Sequence, residues 1–250
     1  MFCVQGVAAI ALLAGCAAAQ QADTAGPPAP VAPDVHDVLK MLQDRKGTLK
    51  DFTSQIKYST TDKLGDTTSK TGTLDFLMDP TLGPEFSADF AKQIDVNGRA
   101  HDYHVQFIFD GHDFTAKDFG AKNNVMQFVR QPMVKPGEAP GSATTLSGPM
   151  PLPIGLDAED VARNFAVTLE PSNDANVAVL KLVPREKGKF EYASLEVTVD
   201  KSKQVPVKLV ETAADGTTTG MELTELKINP GNAHMLDAST PASAGWTERK

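Results

Sequence analysis

The sequence predicts a mainly β domain of the α+β class, built on one strongly curved antiparallel sheet that helices cover. Apolar and polar residues alternate along many short segments, as they do in strands buried on one face only. Short polar turns such as Asp110-Gly111 and Asp215-Gly216 join successive segments, which is typical of an antiparallel meander. Only two segments have helical spacing, and a one-faced sheet needs them, together with a proline-rich loop, as its cover.

The first of these helices is predicted over residues 34–47. Asp34 is a good N-cap, and Gly47 is a suitable residue to end the helix. Four apolar residues at helical spacing form one stripe, which Met41 widens, while the charged residues between them face water. The stripe consists of Val35, Val38, Leu39 and Leu42.

The period then changes to two, which predicts strands. Their apolar faces are formed by Phe52, Ile56 and Tyr58, then Leu74, Phe76 and Met78, then Val105, Phe107 and Phe109. Residues 114–117 and 125–130 predict two further strands. Prolines exclude regular structure over 135–153. A short helix follows, with Asp157 as N-cap, Asp160 as a charged N3 residue, and Val161 and Phe165 on one side.

The second half of the chain returns to strand periodicity over 177–183, 193–199, 205–212 and 221–228. In the third of these segments we expect Val205, Val207 and Leu209 on one face, and Pro206 and Lys208 on the other. The tail from 229 to 250 looks irregular, and its single tryptophan, Trp246, is expected to pack on the domain.

The N-terminal residues predict export. An apolar run over residues 7–13 ends in Leu13-Ala14-Gly15-Cys16, which resembles the bacterial lipobox, in which the cysteine is acylated. Ala17-Ala18-Ala19 also fits cleavage by ordinary signal peptidase, and the first six residues contain no Lys or Arg. We therefore predict a signal peptide over 1–19 with a possible lipobox at 13–16, a flexible linker over 20–33 and a single domain over 34–250.

Composition limits the possible functions. The chain has 250 residues and a net charge of −8 without a block of Lys or Arg, which argues against nucleic acid as a partner. Both cysteines, Cys3 and Cys16, lie in the signal region, so the predicted domain has neither an internal disulfide nor a thiol nucleophile.

No catalytic motif is recognisable. A Gly-x-Ser-x-Gly elbow, a phosphate-binding loop and a dinucleotide fingerprint are absent. His101 and His104, with nearby carboxylates, form the one cluster that could bind metal, but residues three apart on a strand point to opposite faces. We expect no metal, no cofactor and no enzymatic activity, with a metal-dependent hydrolase at the His101 region as the distant alternative.

The order of the elements resembles the LolA/LolB superfamily of periplasmic lipoprotein carriers. The resemblance covers roughly residues 34–246 and rests on an ordered series of short motifs. These are Gly47-Thr48-Leu49-Lys50-Asp51-Phe52, Gly72-Thr73-Leu74-Asp75-Phe76, Phe109-Asp110-Gly111, Gly148-Pro149-Met150-Pro151-Leu152-Pro153-Ile154-Gly155, Leu182-Val183-Pro184, Leu195-Glu196-Val197-Thr198-Val199-Asp200, Val205-Pro206-Val207-Lys208, Asp215-Gly216 and Leu223-Thr224-Glu225-Leu226-Lys227-Ile228-Asn229.

The resemblance implies an unclosed half-barrel whose helical lid encloses an apolar cavity for acyl chains. The cavity candidates are Phe52, Ile56, Leu74, Phe76, Phe107, Phe109, Met126, Phe128, Leu195, Val197, Leu209 and Leu223, and the lid candidates are Val38, Leu42, Val161 and Phe165. Plain core packing is the alternative for each of them. The family also uses an arginine on an early strand to close the lid, whereas residues 79–90 here contain Glu85-Phe86 and no arginine.

The function implied by the resemblance is that of a monomeric periplasmic carrier, which binds lipoprotein acyl chains and moves them toward the outer membrane. Its partners would be lipoprotein cargo or other lipid, an inner-membrane donor complex and an outer-membrane acceptor. Two alternatives stay open on the same fold. One is a membrane-anchored LolB-like acceptor or a glycolipid carrier, with Cys16 as the lipidation candidate. The other is a non-transporting periplasmic sensor that binds a protein partner.

Overall fold

The computed structural model describes residues 33–120, 126–134, 157–231 and 246–248, together with Leu146, Met150, Leu152 and Ile154. The predicted signal peptide, Cys16 and the predicted linker lie outside the described residues. Most of the proline-rich segment and of the C-terminal tail also lie outside them. No helix in the described part of the chain is long and apolar enough to cross a membrane.

The described residues form two helices, close to the predicted positions. Helix α1 spans Pro33–Lys46 and α2 spans Ala158–Asn164. Because α1 begins at Pro33, Asp34 lies within its first turn rather than at the N-cap, where its carboxylate still favours the positive end of the helix dipole. Asp157 caps α2 as predicted, since its side chain accepts hydrogen bonds from the backbone N–H groups of Glu159 and Asp160.

Twelve strands make up the rest of the described chain. They are β1 (Asp51–Thr61), β2 (Thr67–Asp79), β3 (Gly83–Ile94), β4 (Ala100–Phe109), β5 (Asp113–Asp118), β6 (Gln127–Pro132), β7 (Phe165–Glu170), β8 (Val177–Pro184), β9 (Tyr192–Asp200), β10 (Val205–Ala213), β11 (Thr218–Ile228) and β12 (Thr247–Glu248).

All twelve strands belong to one curved, unclosed sheet, and this confirms the predicted fold class. The strand order is β12-β6-β5-β4-β3-β2-β1-β11-β10-β9-β8-β7. Every pair is antiparallel except β12 with β6. Strands β1–β6 form one meander and β7–β11 a second, and the pairing of β1 with β11 joins the two.

Asn229 fastens this central pairing at one end. Its side-chain oxygen accepts a hydrogen bond from the backbone N–H of Lys50 at 2.8 Å, and its side-chain nitrogen donates to the carbonyl of Thr48 at 3.0 Å. The backbone N–H of Asn229 donates to the carbonyl of Asp51 at 2.8 Å. The residue that follows β11 is therefore tied directly to the beginning of β1.

Three strands were not predicted. Strand β3 begins with Gly83-Pro84 and contains small polar residues, so its alternation is weak. Strand β7 begins at Phe165, which is the C-cap of α2 and not part of its apolar side as predicted. Strand β12 is formed by two residues of the tail. The predicted packing of Trp246 is confirmed, because its ring lies 5.1 Å from that of Phe119, edge to face.

A bulge interrupts the alternation predicted for β10. Pro206 pairs with Val199, but Lys208 already pairs with Thr198, so Val207 is an extra residue on its strand. Consequently Val205 and Pro206 are both buried, Val207 is half-buried and Leu209 is buried again. The prediction that Pro206 lies on the face opposite Leu209 was wrong for this reason, because their partners Val199 and Val197 lie on the same face of β9.

Candidate functional site

The inner face of the sheet brings together ten of the twelve predicted cavity residues. Strand register places them on one face, because directly paired residues of antiparallel strands share a side. They come from both meanders and belong to a single apolar core cluster. The ten are Phe52, Ile56, Leu74, Phe76, Phe107, Phe109, Leu195, Val197, Leu209 and Leu223.

Met126 and Phe128 are not brought to this cluster. Phe128 pairs with Lys117, which pairs with Gln106, so Phe128 lies on the face opposite Phe107. Met126 precedes β6 and its carbonyl accepts a hydrogen bond from the backbone N–H of Thr247. On β6, the strand position that shares a face with Phe107 is held by Val129, which remains 42% exposed.

Several inner-face residues were missed by the sequence prediction. Strand β3 contributes Phe86, Ala88 and Phe90, which alternate with the more polar Ser87 and Asp89. Apolar residues at every second position from 86 to 90 are the sequence signal that could have identified strand β3. The second meander adds Leu180, Leu182 and Tyr192 to the same cluster.

The lid consists of α1, α2 and the buried side chains of the segment between β6 and α2. Of the lid candidates, Val38, Leu42 and Val161 pack in the core cluster from the helices, whereas Phe165 packs in it from strand β7. The buried residues of the intervening segment are Leu146, Met150, Leu152 and Ile154. Tyr192 of β9 donates a hydrogen bond to the carbonyl of Leu146 at 2.9 Å and so ties that segment to the sheet.

Many side chains of the inner face are fully buried in the described part of the chain. Leu74, Phe90 and Leu195 have no solvent-accessible surface, and Phe52 and Val197 are 1% exposed. A side chain without accessible surface borders no space that could hold a water molecule. In the described part of the chain, the inner face is therefore covered by protein side chains, and we call this arrangement the closed form.

One end of the inner face carries a lysine among aromatic rings. The ammonium nitrogen of Lys70 lies 5.3 Å from the ring centre of Tyr103, 5.4 Å from that of Phe107 and 5.6 Å from that of Tyr58. Burial and the nearby carboxylate of Glu211 raise the pKa of Tyr58 to about 12, so its hydroxyl is protonated at neutral pH. The apolar face thus ends in a polar, cationic border.

On the outer face of the sheet, the described residues form two cavities whose linings include several polar and charged side chains. One of about 680 Å³ lies across β1–β4, with Gln55, Thr73 and Asp89 in its lining, and one of about 240 Å³ lies across β1, β10 and β11, with Lys57 and Glu222. Strand register places these residues opposite Phe52 and Ile56.

The histidines of the predicted metal candidate have separate carboxylate neighbours. His101 contacts Asp95 at 2.9 Å, and His104 lies 3.5 Å from Asp89 and stacks on the ring of Phe119. Within the described ranges, no group of three or more His, Cys, Asp or Glu side chains is arranged to hold a metal ion.

Glu85 occupies the region in which the family resemblance would place an arginine. It pairs with Leu77 on β2, next to the inner-facing pair Phe86 and Phe76, and so lies on the outer face. Burial, together with the carboxylates of Asp79 and Asp110, raises the pKa of Glu85 from 4.5 to about 7. Three carboxyl groups therefore lie close together near the β2–β3 and β4–β5 turns, and that of Glu85 takes up a proton near neutral pH.

Glu85 is expected to make the protein less stable as the pH rises from about 4.5 to about 7. Below this window the carboxyl is protonated in the folded and the unfolded chain, and within it the unfolded chain loses the proton first. Glu85→Gln should therefore raise the free energy of unfolding at pH 8 by about 1 kcal/mol, a value discounted for solvent screening. At pH 4 the variant and the wild type should be equal.

Urea unfolding at both pH values tests this expectation. Glu186→Gln, at an exposed position after β8, is the control for the loss of one carboxylate from the surface. A Glu85→Gln variant that gains nothing at pH 8 would show that the folded protein accommodates this charge without cost.

Comparison with known proteins finds structural neighbours. No protein-family model and no curated protein matches the chain. Solved structures similar to it include a Vibrio parahaemolyticus domain named for outer membrane lipoprotein sorting (TM-score 0.39, 16% identity, 77% of this chain and 92% of that one). A LolA superfamily protein from Nitrosomonas europaea gives a TM-score of 0.32 at 10% identity, over 76% of this chain and 91% of that one.

A third neighbour was solved with a partner protein. It is the MucA/MucB complex of Pseudomonas aeruginosa, with a TM-score of 0.44 and 12% identity over 81% of this chain. The chain spans 61% of the length of that neighbour. The neighbours thus include members of the superfamily that the sequence resembles, and at these identities the likeness concerns the fold alone.

Proposed function

We propose that this protein is a periplasmic carrier that binds the acyl chains of lipoproteins between the sheet and the lid. It would carry them toward the outer membrane and release them chemically unchanged. The observation that carries the proposal is the inner face itself. Large apolar side chains from both meanders line it. Its described cover consists of a helix of 14 residues, a helix of 7 residues and the buried side chains of Leu146, Met150, Leu152 and Ile154.

Such a cover suits exchange with a lipid. Burial of apolar surface contributes about 25 cal/mol per Å² whichever apolar group supplies the cover, so an acyl chain can replace lid side chains on the sheet. Leu42 of α1 and Val161 of α2 make contacts of this non-directional kind. Opening of the lid and binding of the ligand are therefore coupled.

Directional transport requires differences in affinity along the route. A ligand shifts a conformational equilibrium only by its differential affinity for the two states. The closed form, whose inner face is filled, has the lower affinity for acyl chains, and a donor that opens the lid would load the carrier. An acceptor with greater affinity for the cargo would then unload it.

The processing of the N-terminus decides whether the carrier diffuses. Cleavage near Gln20 would release a diffusible protein. Acylation of Cys16 would instead give a membrane-anchored form, in which residues 20–33 link the lipid to the domain. Leu13-Ala14-Gly15-Cys16 supports the anchored form as the second candidate. The intact mass of the protein isolated from membranes and from the soluble fraction distinguishes the two.

Native mass spectrometry tests the proposed function. The full-length gene product, isolated without detergent, should carry lipid in a fraction of the molecules, and that extra mass should disappear after denaturation and refolding in lipid-free buffer. Adding short-chain diacyl phospholipid should restore it. Several preparations that neither contain lipid nor take it up would contradict the proposal.

A further inference from the structure

A buried hydroxyl stands in the middle of the apolar inner face. Ser54 lies between Phe52 and Ile56 on β1 and pairs with Leu74 on β2, which places its side chain on the inner side. It is 5% exposed, and its neighbours Phe52, Ile56 and Leu74 are 1%, 2% and 0% exposed. On the inner face of this strand, Ser54 is the polar residue between the apolar residues Phe52 and Ile56.

The Ser54 hydroxyl has no hydrogen-bond partner among the described residues. On the β11 side, the register shifts between Thr53 and Gln55, so Ser54 faces a bulge instead of a directly paired residue. Leaving a buried hydroxyl unpaired destabilises a folded protein, and an alanine here would avoid that cost. The closed form therefore holds a donor for which the described residues supply no acceptor.

The chemistry of acyl lipids supplies such an acceptor. An acyl chain is hydrocarbon along its length and ends in a carbonyl, which is an ester in glycerolipids and an amide in N-acylated protein termini. Apolar surface alone cannot fix how deep a chain lies, because hydrophobic contact is non-directional. One donor within the apolar face can fix the position of the carbonyl and so the depth of the chain.

We infer that the Ser54 hydroxyl donates a hydrogen bond to the carbonyl of a bound acyl chain, and that the site therefore selects acyl lipids over hydrocarbon chains without a carbonyl. This inference rests on the proposed function, because the same inner face is the site. It adds one hydrogen-bond donor to that site and names the carbonyl group as the part of the ligand that this donor contacts.

Binding of an ester lipid and its ether analogue tests the inference. Dihexanoyl phosphatidylcholine and its dihexyl ether analogue differ in the two carbonyl groups and are soluble as monomers. We expect the full chain to bind the ester about five- to tenfold more tightly in calorimetric titration, the effect of one hydrogen bond. Ser54→Ala should bind both lipids with the affinity that the wild type has for the ether.

Thr115→Val is the matched control. The Thr115 hydroxyl is also buried and without a hydrogen-bond partner, but strand register places it on the opposite face, beside Ile108. Each substitution removes an unpaired buried hydroxyl, so neither variant should unfold at lower urea concentration than the wild type. Thr115→Val should keep the preference for the ester.

The possible outcomes separate this inference from the proposed function. Equal binding of ester and ether by the wild type, or an ester preference that survives in Ser54→Ala, overturns the role of Ser54 and leaves the carrier function standing. Failure to bind either lipid overturns both.

N-hexanoyl ethanolamine carries an amide carbonyl. If Ser54→Ala weakens its binding too, the contact accepts amide-linked chains. If not, it is specific for esters.

Discussion

Gly72→Ala is expected to lower the free energy of unfolding by about 3 kcal/mol or more, the upper end of what overpacking costs. A β-carbon at position 72 would lie 1.8 Å from the carbonyl oxygen of Asp89 and 2.8 Å from the α-carbon of Phe90. Both are backbone atoms of β3, so no side-chain rotation relieves the clash. Strands β2 and β3 would have to separate where the register shifts.

Gly47→Ala provides the matched control for this prediction. A β-carbon there would meet its nearest atom, the carbonyl oxygen of Asp44, at 3.7 Å, which is an ordinary contact. Its stability should stay within about 0.5 kcal/mol of the wild type, as for substitutions away from special features. Urea unfolding measures both variants. A Gly72→Ala protein less than about 1 kcal/mol destabilised would mean that β3 yields at this bulge more easily than expected.

Leu42→Asp is expected to detach α1 from the sheet. Leu42 is 3% exposed and packs in the core cluster, so the substitution removes apolar contact and places a carboxylate against it. Loss of a buried leucine costs about 2–5 kcal/mol, and the charge prevents the helix from packing back. We expect strong fluorescence of an added hydrophobic dye, while circular dichroism still reports the sheet.

Gln43→Asp, one residue further along α1, is the control because Gln43 is exposed. It introduces the same carboxylate on the outer side of the helix and should change neither stability nor dye binding. If Leu42→Asp binds no more dye than Gln43→Asp does, α1 is not the cover of the inner face, and the lid would have to be sought elsewhere.

Most of the fold could be predicted because its signals are local. The stripe Val35, Val38, Leu39 and Leu42 lies on one side of α1, and the alternating strands of the second meander appear where the period of two placed them. Asp157 caps α2 through atoms two and three residues away. Such patterns depend on near neighbours in the chain, so the sequence contains them directly.

The errors arise where distant strands decide the outcome. On β6, Phe128 and Arg130 alternate with Val129 and Gln131, and only the pairing with β5 decides which set faces the core. Strand β3 contains Ala88, a weak strand former, which is buried because Leu74 and Phe107 flank it. The spacing of Val161 and Phe165 suggests a helix face, yet Phe165 already begins β7.

The same separation between local and distant signals affects the candidate site. Alternation identified ten residues of the inner face, since an apolar face is visible along each strand by itself. The unpaired hydroxyl of Ser54 could not be anticipated in this way. Whether a serine finds an acceptor depends on the β11 bulge, which lies more than half the chain away.

The central position of the β1–β11 pairing also determines when the inner face is completed as the chain folds. Each meander consists of hairpins between successive strands, which form quickly because little chain must be ordered. The pairing that joins the meanders brings together residues as far apart as Ser59 and Gly220, which are separated by 161 positions. Closure of such a long loop is slow, so we expect it to come late. Because both meanders supply the inner face, the proposed binding site is complete only after this pairing has formed.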